Sequence, residues 1–198
     1  MASLAIAVHA SRHASINNIL AMTLRSAGVP TLLKPGGLLP GDARRPDGAT
    51  LIPWDHGRCL AWDFTCPDTV APSHMSSSTI AAGLAAEEAE ALKSEKYSDL
   101  IPSHVFVPVA IETLGAWGPG ASSLVAEIGR RSVISSGDSR SCLFLRQRIG
   151  MAMQRGNFKS VLGTIHLPPL RGEEILVEGL DEHCVLVWGG CCFHFREC

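Results

Sequence analysis

The stretch RRPDGATLIPWDHGRCLAWDFTCPDT, residues 44–69, decides the fold. Two short apolar runs, 49–53 and 59–61, are separated by the turn-like Trp54-Asp55-His56-Gly57. Each run is tied to an acid, Asp47 before the first and Asp63 after the second. Two short apolar runs on either side of a Gly-containing turn read as a β-hairpin. In an antiparallel hairpin the start of one strand meets the end of the other, so the two carboxylates converge. A plainer reading stays open: Asp47 opens a turn and Asp63 pairs with a neighbouring base.

Working outward on the amino-terminal side, Ile16, Ile19, Leu20 and Leu24 recur at helical spacing, predicting a helix over 11–26 with Ser11 as its N-cap and Gly28 and Pro30 as its stop. A short strand over 29–33 and a Gly/Pro-rich loop, KPGGLLPGD, lead into the hairpin. On the other side, 71–79 is a Ser/Pro-rich loop, and 80–96 is dense in Ala, Glu and Leu and reads as a helix. After a break, HVFVPVAIET over 104–113 has the composition of a buried strand, with Pro108 marking an edge or a bulge. Helices follow over 121–134 and 141–162, the second presenting Leu145, Ile149, Met153 and Val161 on one face. Past His166 the pattern changes, and 175–177 with 185–188 suggests a terminal hairpin. The expected fold is α/β, a small mixed β-sheet flanked by helices, organised as an extension (1–10), a main domain (11–164) and a tail (165–198).

Composition limits the function classes. The chain has 198 residues and 46% hydrophobic content, enough for a core of ordinary size. Seventeen basic and nineteen acidic residues leave a net charge of −2, so no global basic field points to nucleic acid, and any basic surface is local. Candidates are Arg44-Arg45 and the run from Arg130 to Lys159, which reads equally as a phosphate-tracking surface or a solvated face. Seven cysteines at irregular spacing, with no secretory signal, favour a reduced intracellular protein. No segment has the length of a membrane span, so no membrane partner is expected. The carboxy-terminal cluster His183, Cys184, Cys191, Cys192, His194 and Cys198 matches no common zinc-ligand spacing. Cys59 and Cys66 read as small buried residues, and Trp54 and Trp62 as core aromatics rather than base-stacking platforms.

Two convergent carboxylates suit a divalent cation, because such a metal takes hard oxygen ligands; Asp47, Asp63 and the backbone carbonyl of Phe64 are the candidates. A nearby ammonium would stabilise charge developing on a phosphate. Thr65 stands two residues after Asp63, where the simplest form of such a site has lysine; Lys96 at the end of the acidic helix, with Lys93 one turn earlier, is the candidate to supply the charge from another direction, and both lysines read equally as solvated helix surface.

The ordered set Arg12-His13, Gly37-Leu38, RPDG (45–48), AWDFTCPDT (61–69), Lys96-Tyr97 and FVPVAIETLG (106–115) resembles the restriction-like endonuclease domain that follows the reverse transcriptase in non-LTR retrotransposon polyproteins. That domain is a branch of the PD-(D/E)xK nucleases. The resemblance spans about 12–164 and implies a restriction-endonuclease-like core, Mg²⁺ dependence with Mn²⁺ as substitute, DNA as partner, a nuclear place of action, and nicking of target DNA so that reverse transcription can be primed. It assigns Asp47 and Asp63 to the metal, with the Phe64 carbonyl beside them, and Lys96 and Tyr97 to catalysis in compensation for Thr65. Arg12 and His13 match a pair that contacts phosphate or packs under the site; Arg45 and Thr65 complete the substrate side. The chain departs from its relatives at Lys34-Pro35, where they carry Glu before the Pro, and it contains neither the reverse transcriptase nor the zinc knuckle that commonly precedes the Arg-His helix. An inactive retroelement remnant with weak nucleic-acid binding is therefore the alternative to an active endonuclease.

Overall fold

The computed structural model describes residues 2–39 and 44–164, together with the backbone of 185–188 and 191–194. The chain divides into two compact units, Met1–Gly163 and Thr164–Cys198. The first unit is α/β. Its four-stranded mixed sheet has the order β1 (Thr31–Leu33), β2 (Gly48–Asp55), β3 (Arg58–Thr65) and β4 (His104–Ala110). The first three strands are antiparallel neighbours and β4 lies parallel to β3. A parallel neighbour needs a crossover, here supplied by α2 (Met75–Ile80) and α3 (Leu84–Lys96). Helices α1 (Ala2–Ser26), α4 (Pro119–Ser136) and α5 (Ser141–Thr164) complete the unit. Among the described residues no helix is long and apolar enough to cross a membrane.

Strand alternation sorts β3 into two faces. Leu60, Trp62 and Phe64 enter the larger core with Ile16, Leu20 and Leu24 of α1, Ile128 of α4, and Leu145, Ile149 and Met153 of α5. Ala61 enters a smaller core on the other side with Ala49, Tyr97, Leu100 and Phe106. Asp63, two residues after Ala61, therefore faces the α3 side of the sheet. The hairpin turns at His56 and Gly57, whose φ values of 45° and 74° are those of the tight two-residue turn that matches strand twist.

Several element boundaries differ from the sequence expectation. Helix α1 begins at Ala2, so Ser11 lies inside it and Ser15 Oγ donates to the Ser11 carbonyl; nothing in 2–10 is Gly or Pro, and the helix continues through it. Its other end is as expected: Gly28 (φ 77°) donates to Arg25 O and Val29 to Leu24 O, a paired C-terminal cap. The helix expected over 80–96 is interrupted, because Gly83 adopts φ 94° and turns its N–H to Glu112. The Ser-rich segment read as a loop contains the single-turn α2, held by Ser77 Oγ donating to Glu88. Strand β4 stops at Ala110 rather than 113; Pro108 does lie on an edge strand. Val161 is 54% exposed rather than on the buried face of α5. Steps of four residues overshoot one turn by about 40° each, so a row begun at Leu145 has rotated well away by residue 161. In the second unit β5 (Val185–Trp188) pairs with β6 (Cys191–His194); residues 175–177 of the expected terminal hairpin lie outside the described residues, as do His183, Cys184 and Cys198 of the Cys/His cluster.

Candidate active site

The β2–β3 register pairs Gly48 with Trp62 and Ala49 with Ala61. One step further, just before β2, brings Asp47 beside the Asp63–Phe64 end of β3, so the two acids identified in the sequence lie at the same end of the hairpin. Both are buried, at 8% and 4% exposure. Burial of an ionised carboxylate is tolerated only with partners, and each acid takes them from a different helix.

Asp47 is served from α1. Its Oδ2 accepts from His13 Nε2 at 2.9 Å and from the Phe64 N–H at 2.7 Å. The His13 ring meets Phe64 edge-on, with centroids 5.6 Å apart. Burial is the largest influence on Asp47 and pushes its pKa up, but the hydrogen bond and charge of His13, with smaller help from the Phe64 N–H and Asn17, leave it below the ordinary carboxylate value. The hydrogen bond to Asp47 correspondingly raises His13 against the opposing effect of its own burial. A groove of about 350 Å³ adjoins these residues, lined by His13, Asn17, Asn18, Leu33, Lys34 and Asp47.

Asp63 is served from α3 and the turn after it. Tyr97 Oη lies 3.0 Å from Asp63 Oδ1 and 2.9 Å from the Arg45 carbonyl, two acceptors sharing one proton. Burial, reinforced by the charge of Asp63, raises the phenol well above its usual value, so it acts as a neutral donor. Asp63 Oδ2 is buried and paired with the Lys93 ammonium, 2.5 Å away.

The remaining sequence candidates fall as follows. Lys96 places its ammonium 4.9 Å from the centre of the Tyr97 ring, while its carbonyl accepts from Arg44; the lysine on the carboxylate is Lys93, one turn earlier. Arg12 is buried, donates to Asn157 Oδ1 and lies against Gly156, so it packs α1 onto α5. Arg45 is exposed and meets the site through its carbonyl. Thr65 ends β3 opposite Ala110, and its carbonyl accepts from Ile111. Trp62 is fully buried; Trp54 is half-buried beneath the Arg131 guanidinium, 3.6 Å from its ring centre. Cys66 is buried, and burial pushes its thiol up to about 11. Of the basic α5 stretch, Arg146 lies over Trp117 and Arg140 pairs with Asp138.

Sequence reasoning missed two buried acids of structural importance. Glu90 of α3 accepts from the backbone N–H groups of Ala110, Gly120 and Ala121, closing the start of α4. Glu112 accepts from Gly83, Ala86 and Thr69, closing the start of α3. Carboxylates at helix N-termini satisfy orphan donors and complement the helix dipole. Read linearly, Glu90 was one acid in a cluster. Asn17 was also passed over, although it accepts from Trp62 Nε1 at 2.9 Å and faces His13.

Asp47 and Asp63 offer the hard oxygens by which Mg²⁺ is usually held through one or two carboxylates while it keeps several waters, but the Asp47 Oδ2 is taken by His13 and the Phe64 N–H and the Asp63 Oδ2 by the Lys93 ammonium. Among the described residues no group of three or more His, Cys, Asp or Glu side chains gathers as a metal cage, so such a site would be half-built from solvent and substrate oxygens. No protein-family model matches the chain, and no curated protein is significantly similar to it.

Proposed function

We propose that residues 11–164 form a retroelement-derived, Mg²⁺-dependent DNA endonuclease domain whose hydrolytic centre is built on Asp47 and Asp63. The observation that carries this reading is the pair of buried carboxylates that the β2–β3 register brings to one end of the hairpin, with an ammonium 2.5 Å from one and an imidazole 2.9 Å from the other. The ordered motifs shared with restriction-like endonuclease domains support the retroelement origin, and the helix, three antiparallel strands, helix and parallel fourth strand are compatible with it.

Asp47, Asp63 and the Phe64 carbonyl would hold the cation, which supplies Lewis-acid polarisation of a phosphodiester and lowers the pKa of attacking water. The chain's own groups have separate tasks. His13 and the Phe64 N–H hold Asp47 in place. Tyr97 orients Asp63 while tying it to the Arg45 backbone. Lys93 supplies positive charge beside Asp63 where negative charge develops on the phosphate, the task left open by Thr65. Lys34 and Asn18 line the adjoining groove and offer polar contacts to a nucleic-acid backbone.

The test is conversion of supercoiled plasmid to open circle by the full chain. Cleavage is expected with Mg²⁺ or Mn²⁺ and not with EDTA, and Asp47→Asn or Asp63→Asn is expected to lower the rate by about 10²-fold or more. Equal nicking by wild type and Asp63→Asn contradicts the reading. A catalytically silent remnant is the second reading, favoured by one observation: both acids already have cationic or N–H partners, which compete with a metal. Salt-dependent DNA binding without metal-dependent cleavage would select it.

A further inference from the structure

We infer that Trp62 and Asn17 form a relay that fixes the tautomer of His13 and thereby positions Asp47. The indole N–H of Trp62 can only donate; it points at Asn17 Oδ1, 2.9 Å away, and both residues are buried. The oxygen of the Asn17 amide is thus assigned by its partner rather than by choice of flip. Its NH₂ group then faces His13, one turn earlier on α1, 3.2 Å from both the His13 carbonyl and His13 Nδ1. An N–H on Nδ1 would point straight at that NH₂ group. Nδ1 is therefore bare and accepts, which leaves the ring proton of the neutral imidazole on Nε2. Nε2 is the atom 2.9 Å from Asp47 Oδ2, so the proton lies where it can donate to the carboxylate.

The surrounding packing holds each link. Phe64 meets the imidazole at 61°, restricting ring rotation, and its own N–H donates to the same Asp47 oxygen. Gly48 next to Asp47 leaves room for the indole, since any Cβ there would lie 2.1 Å from Trp62. Trp62 and Asn17 are accordingly positioning residues that act on Asp47 through His13, and Asn17 adds a weaker hydrogen-bonding influence on Asp47 of its own. Only this last statement, that Asp47 is being positioned for hydrolysis, rests on the endonuclease reading.

The experiment is long-range ¹H–¹⁵N NMR of the histidine rings of the full chain, above the pH at which the His13 ring titrates, with His13→Gln to assign the resonances and plasmid nicking measured in parallel. Wild type is expected to show His13 as the Nε2–H tautomer. Asn17→Leu, which removes the donor to Nδ1, and Trp62→Phe, which frees the Asn17 amide to rotate, are each expected to give a mixed tautomer population. Nicking is expected to fall about 10- to 100-fold in Asn17→Leu, the usual range for partners that orient a metal-binding group. His13→Gln, whose amide can still donate to Asp47, is expected to retain more activity than His13→Ala. An Nδ1–H tautomer in wild type, or unchanged tautomers in both folded variants, overturns the relay. A changed tautomer with unchanged nicking overturns the positioning role. A wild type that does not nick overturns the endonuclease reading, and the tautomer spectra still decide the relay.

Discussion

Gly48 illustrates how narrow the residue-scale tolerances around the acids are. The indole of Trp62 lies over it so closely that a methyl group would overlap the ring. Gly48→Ala is expected to lower stability by about 1–3 kcal/mol, the cost of overpacking a filled core, read as a lower urea midpoint at unchanged slope; a variant as stable as wild type contradicts this packing. The two lysines of α3 separate in the same way. Lys93 touches Asp63, whereas the Lys96 ammonium lies over the Tyr97 ring. Lys93→Met is expected to lower nicking by about 10²-fold, and Lys96→Met to change it by no more than about threefold, since an exposed cation–π contact is weak. The reverse ranking would return the ammonium role to Lys96. That distinction was not legible in the sequence: residues three apart both lie near one helix face, and which one meets the sheet depends on the start of α3, which Gly83 and Glu112 set from outside the helix.

At the scale of elements, the interlocked helix starts organise the crossover. Glu90 gathers three backbone N–H groups at the junction of β4 and α4. Glu90→Ala leaves them unpartnered and is expected to destabilise by about 2–5 kcal/mol. Glu90→Gln, which keeps an acceptor oxygen, is expected to lose less. Denaturant melts of the two variants check this, and equal losses would contradict the capping role. Helix α4 also carries a pH-dependent link. Hydrogen bonds from Arg130 and then Arg131 draw Glu127 down to about 2, and Arg131 continues to the Trp54 carbonyl on β2. A carboxyl depressed below its unfolded value of 4.5 contributes stability that is present above that pH and lost as pH falls toward 2. Glu127→Gln is therefore expected to be less stable than wild type at pH 7, with the gap closing between about pH 4.5 and 2; a gap constant over that range contradicts the link.

For the whole molecule, the α/β class, the hairpin and the nearness of Asp47 to Asp63 were legible because they rest on local signals: an apolar run on each strand, His56-Gly57 at the turn, and an acid before the first run and after the second. Apolar spacing also placed α4, α5 and the carboxy-terminal end of α1 within a few residues of their observed ends, whereas α1 starts nine residues before the expected Ser11. What escaped the sequence is long-range. Glu90 and Glu112 look like surface acids until α3, β4 and α4 are assembled around them. Asn17 is an unremarked helix residue until Trp62 arrives from a strand 45 positions away. His13 was singled out by resemblance, but its attachment to Asp47 is a product of packing α1 against the sheet where β2 begins and β3 ends.

The most direct measurement is Mn²⁺ binding to the full chain, followed by electron paramagnetic resonance in wild type, Asp47→Asn and Asp63→Asn. Carboxylates that share a cation predict a Mn²⁺ site in wild type that either single substitution removes while the fold is retained. No bound Mn²⁺ in wild type, or the same binding in all three proteins, would contradict a metal centre on Asp47 and Asp63.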